Sequence, residues 1–140
     1  MSNIYRHIIR VSADEVDING HVNNVHYVKW MQAAAVRHSE ISGCTSFTNS
    51  QGATWVVRTH RIEYLRPAFA DEQITVLTWI SDFRKVRSLR KYKFIRDSDG
   101  GVLATGETDW VFVDAKNGRP RTIPDDVKNA FVLVMENQEP

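Results

Sequence analysis

The rhythm of apolar and polar positions changes twice along this chain. Residues 5–11, YRHIIRV, are a short run rich in β-branched residues and read as a first strand. From Val25 to about Glu40 the spacing is helical. Tyr27, Trp30, Met31, Ala34, His38 and Ile41 recur at steps of three and four, along one face of a helix. Asn23 and Asn24 stand just before this pattern, where a side-chain oxygen can cap free backbone N–H groups. After Gly52 the chain changes again, to four long runs of β-formers at 53–65, 73–83, 86–96 and 102–114. They are separated by Arg66-Pro67, by Ala70-Asp71-Glu72 and by the hairpin signal at 97–101, DSDGG; a further turn follows at 116–120. Residues 42–52, SGCTSFTNSQG, read as a loop. Pro124, Asp125 and Asp126 open a C-terminal segment as a helix first turn prefers.

Strand, helix, then four long strands on short turns define an α+β class, an antiparallel sheet packed on one main helix. The small run Ala33-Ala34-Ala35 lets a sheet approach that helix closely, so the helix should be largely enclosed. With 140 residues the chain reads as one domain with one core. A formal net charge of +1 gives no overall bias toward nucleic acid or membrane. No stretch approaches the ~20 apolar residues of a membrane span. The N-terminal residues lack the apolar run of a signal peptide, and the single Cys44 suits a reducing compartment; both point to the cytoplasm.

Chemistry concentrates in residues 14–24. A carboxylate (Asp17), a glycine (Gly20), an imidazole (His21) and a helix N-terminus fall within a few residues of one another. A helix N-terminus offers unpaired N–H donors and partial positive charge. Donors beside a carboxylate suit a reaction at a carbonyl: the donors hold the oxyanion while the carboxylate attacks or activates water. No His, Cys or carboxylate spacing suggests a metal site, and no cofactor is expected.

The run from Asp17 to Trp30, DINGHVNNVHYVKW, resembles the motif of the hot-dog-fold thioesterases. These include the 4-hydroxybenzoyl-CoA thioesterase-like enzymes and the plant acyl-ACP thioesterases. Weaker similarity continues at 62–67, at Thr105-Gly106 and at 110–114, so it covers most of the chain. The resemblance implies a hot-dog fold, a curved antiparallel sheet wrapped around one central helix. It also implies hydrolysis of an acyl-CoA thioester, with Asp17 as nucleophile or general base. The N–H of Asn24 would polarise the carbonyl, while Asn19 and His21 match the further motif residues of the plant enzymes. The chain departs from those enzymes in lacking a Glu-Cys pair after Arg66 and in having the length of one hot dog. These departures favour the CoA branch, with acyl-ACP thioesterase as the alternative. The helix has Gln32 and no acid between Trp30 and Glu40, which leaves Asp17 as the expected carboxylate. The family pairs two chains with the site at their interface, so a homodimer, or a tetramer of such dimers, is expected. A non-catalytic acyl- or CoA-binding module is the competing reading from another class.

Seven Lys or Arg lie between Arg84 and Arg96. Lys85, Arg87, Lys91 and Lys93 share one strand face, opposite Val86, Tyr92 and Phe94. This row reads either as a solvated outer face or as a phosphate site for CoA. The resemblance favours Lys85, Arg87 and Ser88 near the nucleotide. Tyr27 reads as core and as a wall of the substrate site, and Trp30, Trp55 and Trp79 are candidates for an apolar acyl pocket.

Overall fold

A computed structural model describes residues 3–140. The elements are β1 (Tyr5–Arg10), α1 (Val25–Ser42), α2 (Cys44–Ser50), β2 (Ala53–Tyr64), β3 (Gln73–Phe83), β4 (Arg87–Arg96), β5 (Val102–Asp114) and the one-turn α3 (Asp125–Lys128). The strands form a five-stranded antiparallel sheet in the order β1-β3-β4-β5-β2. The long helix α1 packs on one face, as the α+β reading expects. Register shifts at Val57/Thr59, Ile80/Asp82 and Phe94/Ile95 mark bulges, which bend and twist strands.

Helix α1 buries Tyr27, Trp30, Met31, Ala34 and Ala35 against Val76, Tyr92, Phe94, Leu103 and Ala104. Burying one large apolar side chain is worth about 1.5–3 kcal/mol, so this stripe is what holds the helix to the sheet. Gly43, at φ +90°, ends α1 in the left-handed region that L side chains avoid. The enclosure is one-sided: Val25, Val36 and Ile41 are 60%, 53% and 58% exposed. Ile41 thus leaves the face that the periodicity assigned to it.

Gly106 of β5 sits directly against Met31 of α1. A Cβ there would stand 3.2 Å from Met31 Sδ and Cε and 3.2 Å from the Arg61 carbonyl oxygen. Gly106→Val should therefore push α1 off the sheet and cost about 1–3 kcal/mol, read as a lower urea midpoint with an unchanged m-value.

Two expectations change. Residues 44–50 form α2, not a loop. Cys44 and Thr48, one turn apart, are buried, and Trp55 Nε1 donates to Thr48 Oγ1 at 3.1 Å. Tertiary burial overrides a composition of Ser, Thr and Asn that favours loops. The C-terminal helix stops after Lys128, because the residues beyond it serve separate clusters. Val127 packs with Cys44, Ala53, Phe112 and Ile123, whereas Val134 joins Leu77 and Trp79. The last residues reach β4, where Lys91 Nζ pairs with Glu139 at 3.0 Å.

Candidate active site

The motif loop is a miniature hairpin closed by the Val16–Val22 bridge. The Asp17 N–H donates to the His21 carbonyl at 2.7 Å, and the Gly20 N–H donates to the Asp17 carbonyl at 2.9 Å. Gly20 has φ +78°, which explains the glycine: a Cβ would strain this turn. Asp17 Oδ1 accepts the N–H of Asn19 at 2.9 Å and of His21 at 3.2 Å. Among the described residues nothing engages Asp17 Oδ2, and no cation lies within ion-pair distance of the carboxylate. One oxygen is fixed by the loop and the other is not.

The helix start lies next to this loop. Asn23 Oδ1 caps the Val25 N–H at 3.2 Å, whereas the Asn24 side chain makes no capping bond. The Asn24 N–H meets no acceptor among the described residues. Asn24 is held from its other side, where Tyr64 Oη donates to its carbonyl at 3.3 Å. That bond ties the end of β2 to the start of α1.

The imidazole of His21 does not meet Asp17. It packs edge-on against Phe69, centroid to centroid 5.3 Å, while the His21 backbone bridges Phe69. Its contribution to the carboxylate is its backbone N–H. The same holds for Asn19. Tyr27 is 2% exposed and lies edge-on to Trp30, Tyr64 and Phe94. Burial pushes its hydroxyl up to about 12, so it stays neutral as a wall of the core.

Glu15 is the residue of this neighbourhood that sequence reasoning missed. Its Oε2 accepts from Trp30 Nε1 at 3.2 Å and lies 3.6 Å from His26 Nδ1, while Oε1 accepts the Ser12 N–H. The signal was present as Ser12-x-x-Glu15, a capping box that starts the 3-10 turn at 13–15.

The basic row is largely paired. On the outer face Arg87 meets Asp109 at 3.0 Å and Lys91 meets Glu139. Lys85 is exposed, in the turn before β4, and has no acidic partner among the described residues. Ser88 does not join Lys85 and Arg87. It lies on the opposite face of β4, 4% exposed, because side chains alternate across the strand. Arg90 shares that inner face at 3% exposure. Of the three tryptophans considered for the acyl pocket, Trp79 lies on the outer side of the sheet with Leu77 and Val134, and Trp30 lies in the core beside the loop.

Trp55 lines a cavity of about 230 Å³. Its walls come from the second half of α1, from α2, from the starts of β2 and β4, from the end of β3, from Trp110 of β5 and from the segment after α3, including Ala35, Val36, Thr48 and Phe131. Ser88 and Arg90 line it as well. The cavity is 11 residues or more along α1 from Asn24, roughly 16 Å at 1.5 Å per residue. Within one chain the loop and the cavity are therefore at opposite ends of α1.

His38 adjoins the cavity. Burial first, and then the Arg90 guanidinium, lowers its pKa to about 3. It stays neutral in the fold while the unfolded chain protonates it near 6.5. Stability should hold above pH 6.5 and fall as pH drops toward 3, since the unfolded state there binds the extra proton. Thermal melts from pH 7.5 to 4 check this, and His38→Gln should flatten that part of the profile.

Among the described residues no three His, Cys, Asp or Glu side chains converge to hold a metal, and no helix is long and apolar enough to cross a membrane. Residues 11–131 match the thioesterase-like superfamily, and the chain belongs to it. The sheet wrapped on α1 is the hot-dog fold of that family. The chain is 27% identical over 131 residues to the acyl-CoA thioester hydrolase YbgC of Escherichia coli O6:H1, covering 91% of this chain and 96% of that one. It is 23% identical over 108 residues to the long-chain acyl-CoA thioesterase FadM of E. coli K12, covering 77% and 82%. The crystal structure of YbaW, a probable thioesterase from E. coli, superposes with a TM-score of 0.82 at 20% identity, over 89% of this chain and 94% of that one.

Proposed function

We propose that the protein hydrolyses acyl-CoA thioesters and that Asp17 carries the reaction. The observation behind this is the one-sided hydrogen bonding of Asp17 beside the open Asn24 N–H. Two backbone N–H groups hold Oδ1 and keep the carboxylate oriented, while Oδ2 is left to act. It can attack the thioester carbon, expelling CoA thiolate and leaving a mixed anhydride for water to open. It can instead take the proton of a water that attacks the same carbon. In either route the Asn24 N–H, at the positive end of α1, stabilises the carbonyl oxygen as it gains charge. The two acyl-CoA hydrolases among the relatives support CoA as the carrier.

The working unit on this reading is two copies. Asp17, Asn19, Gly20, His21 and Asn24 are all exposed in one chain, with Val25, Tyr64, Leu65 and Phe69 exposed around them. Water must be controlled at such a site, and apolar surface must be covered. Strand β2 is a 12-residue sheet edge that pairs only with β5 among the described residues. A long open edge is a template for pairing. Two β2 strands paired antiparallel about a two-fold axis place the end of one against the start of the other. The Tyr64 end, tied to Asn24, then meets the Trp55 end, which borders the cavity. Each copy lends its Asp17 loop to the cavity of the other. Lys85, with Arg87, remains the candidate contact for CoA phosphates. The free, buried Cys44 suits a reducing setting such as the cytoplasm.

Thiol release from a panel of acyl-CoAs, aliphatic from short to long and also aromatic, tests the activity. Turnover of one group of esters is expected. Silence on all of them, and on the matching acyl-ACPs, contradicts the reading and leaves a binding module. Light scattering should give twice the 16.1 kDa of one chain, or a multiple of that; a lone monomer at micromolar concentration contradicts the paired unit.

A further inference from the structure

The cavity has an unusual floor. Among the described residues, Arg90 is the one charged side chain that is almost wholly buried. A buried guanidinium is costly unless a counter-charge or a full set of acceptors meets it. Arg90 has neither. Its Nη1 donates to His38 Nδ1 at 2.8 Å and to Thr78 Oγ1 at 3.0 Å, while Nε and Nη2 engage no acceptor among the described residues. Among the described residues no carboxylate lies within ion-pair distance of it. His38 accepts as a neutral ring and so brings no negative charge. The Phe131 ring lies 5.4 Å from the guanidinium carbon and shields that side from water.

Two residues before Arg90, on the same inner face of β4, Ser88 Oγ is buried without a hydrogen-bond partner. A buried, unpaired hydroxyl carries its full desolvation cost, so it calls for a ligand. Both residues line the cavity, and its other walls are largely apolar: Ala35, Val36, Trp55, Ile80, Phe83 and Phe131. The exposed Val36 marks the open side, while Arg90 and Ser88 are only 3% and 4% exposed. The cavity is thus an apolar passage toward a fixed cation and a free hydroxyl.

We infer that this cavity receives the far end of the acyl group, and that this end is a carboxylate. The preferred substrates are mono-CoA thioesters of dicarboxylic acids. A guanidinium fork matches a planar carboxylate through two parallel hydrogen bonds, and Ser88 adds a third donor. The inference rests on the thioesterase reading and on the two-copy site, in which the cavity of one chain faces the Asp17 loop of the other. The bond broken is the same thioester C–S bond; Arg90 and Ser88 act on which ester is held, as specificity residues.

The test compares kcat/KM for chain-matched esters: hexanoyl- with adipoyl-CoA, octanoyl- with suberoyl-CoA, and decanoyl- with sebacoyl-CoA. At the best length the ω-carboxy ester should lead by about tenfold or more. Arg90→Met should abolish that lead, Arg90→Lys should keep part of it, and Ser88→Ala should reduce it by about threefold. The ratio within one preparation is insensitive to how much of a variant folds. Equal rates on each wild-type pair, or a lead for the plain chain, overturn the inference while the thioesterase reading stands. An 8-hydroxyoctanoyl ester that outruns suberoyl-CoA overturns the anionic end. If no ester is hydrolysed at all, the thioesterase reading fails, and calorimetry of free suberate with the wild-type protein judges the carboxylate site alone. Binding that Arg90→Lys weakens supports it, and absence of binding overturns it.

Discussion

Asp17→Asn lowers kcat on the best acyl-CoA by about 10²- to 10⁴-fold, the range that a positioned acid or base contributes. The substitution is nearly isosteric. An Asn oxygen can still accept the N–H groups of Asn19 and His21, so the turn should keep its shape. What disappears is the charged second oxygen that the loop leaves unengaged. KM should change little, because in the proposed mechanism Asp17 meets the reacting carbon and not the CoA. Steady-state kinetics beside a thermal melt check this: the melt should match wild type while the rate collapses. His21→Ala should be far milder, since only its backbone N–H supports the carboxylate and its ring packs on Phe69.

Phe94→Ala costs roughly 3–5 kcal/mol of stability, a large share of the 5–15 kcal/mol of an ordinary domain. Phe94 is fully buried at the junction of α1 and the sheet, 5.2 Å from the Tyr27 ring and 6.4 Å from the Trp30 ring. Those two residues hold the first turns of α1, and Asn24 stands immediately before them. The cavity left behind cannot be filled by the short Ala34 and Ala35. Urea unfolding gives the loss directly, and the protein that remains folded should also turn over more slowly because Asn24 is less firmly placed. Phe94→Leu, which keeps most of the volume, should recover most of both.

The path from sequence to structure shows what a linear pattern carries. Strands β2 to β5 were legible because long β-former runs were fenced by turn residues, and α1 was legible from Tyr27, Trp30, Met31 and Ala34. The motif loop was legible because its residues are contiguous, so their meeting needs no tertiary knowledge. Helix α2 was hidden, since only Cys44 and Thr48 of its seven residues are buried and the rest read as loop. Arg90 was hidden among seven cations, of which only Lys85, Arg87, Lys91 and Lys93 were assigned a face. Its parity was the unused signal: it shares even positions with Tyr92 and Phe94, on the opposite face of the strand. Ser88 follows the same parity. Glu15 was hidden because its partners, His26 and Trp30, lie 11 and 15 residues away along the chain. The short α3 depended on which cluster each C-terminal side chain reaches, which no local pattern records.

The most direct test of the central claim mixes two inactive variants, Asp17→Asn and Val36→Trp. Val36 is exposed at the cavity wall, and an indole there should block entry without touching the loop. Each pure dimer should be inactive. After unfolding and refolding together, half of the dimers are mixed, and in each of these one site combines an intact Asp17 with an intact cavity. Thiol release should recover to about a quarter of the wild-type rate, as two-fold symmetry dictates. No recovery, with mixed dimers present by mass, would contradict a site shared between two copies.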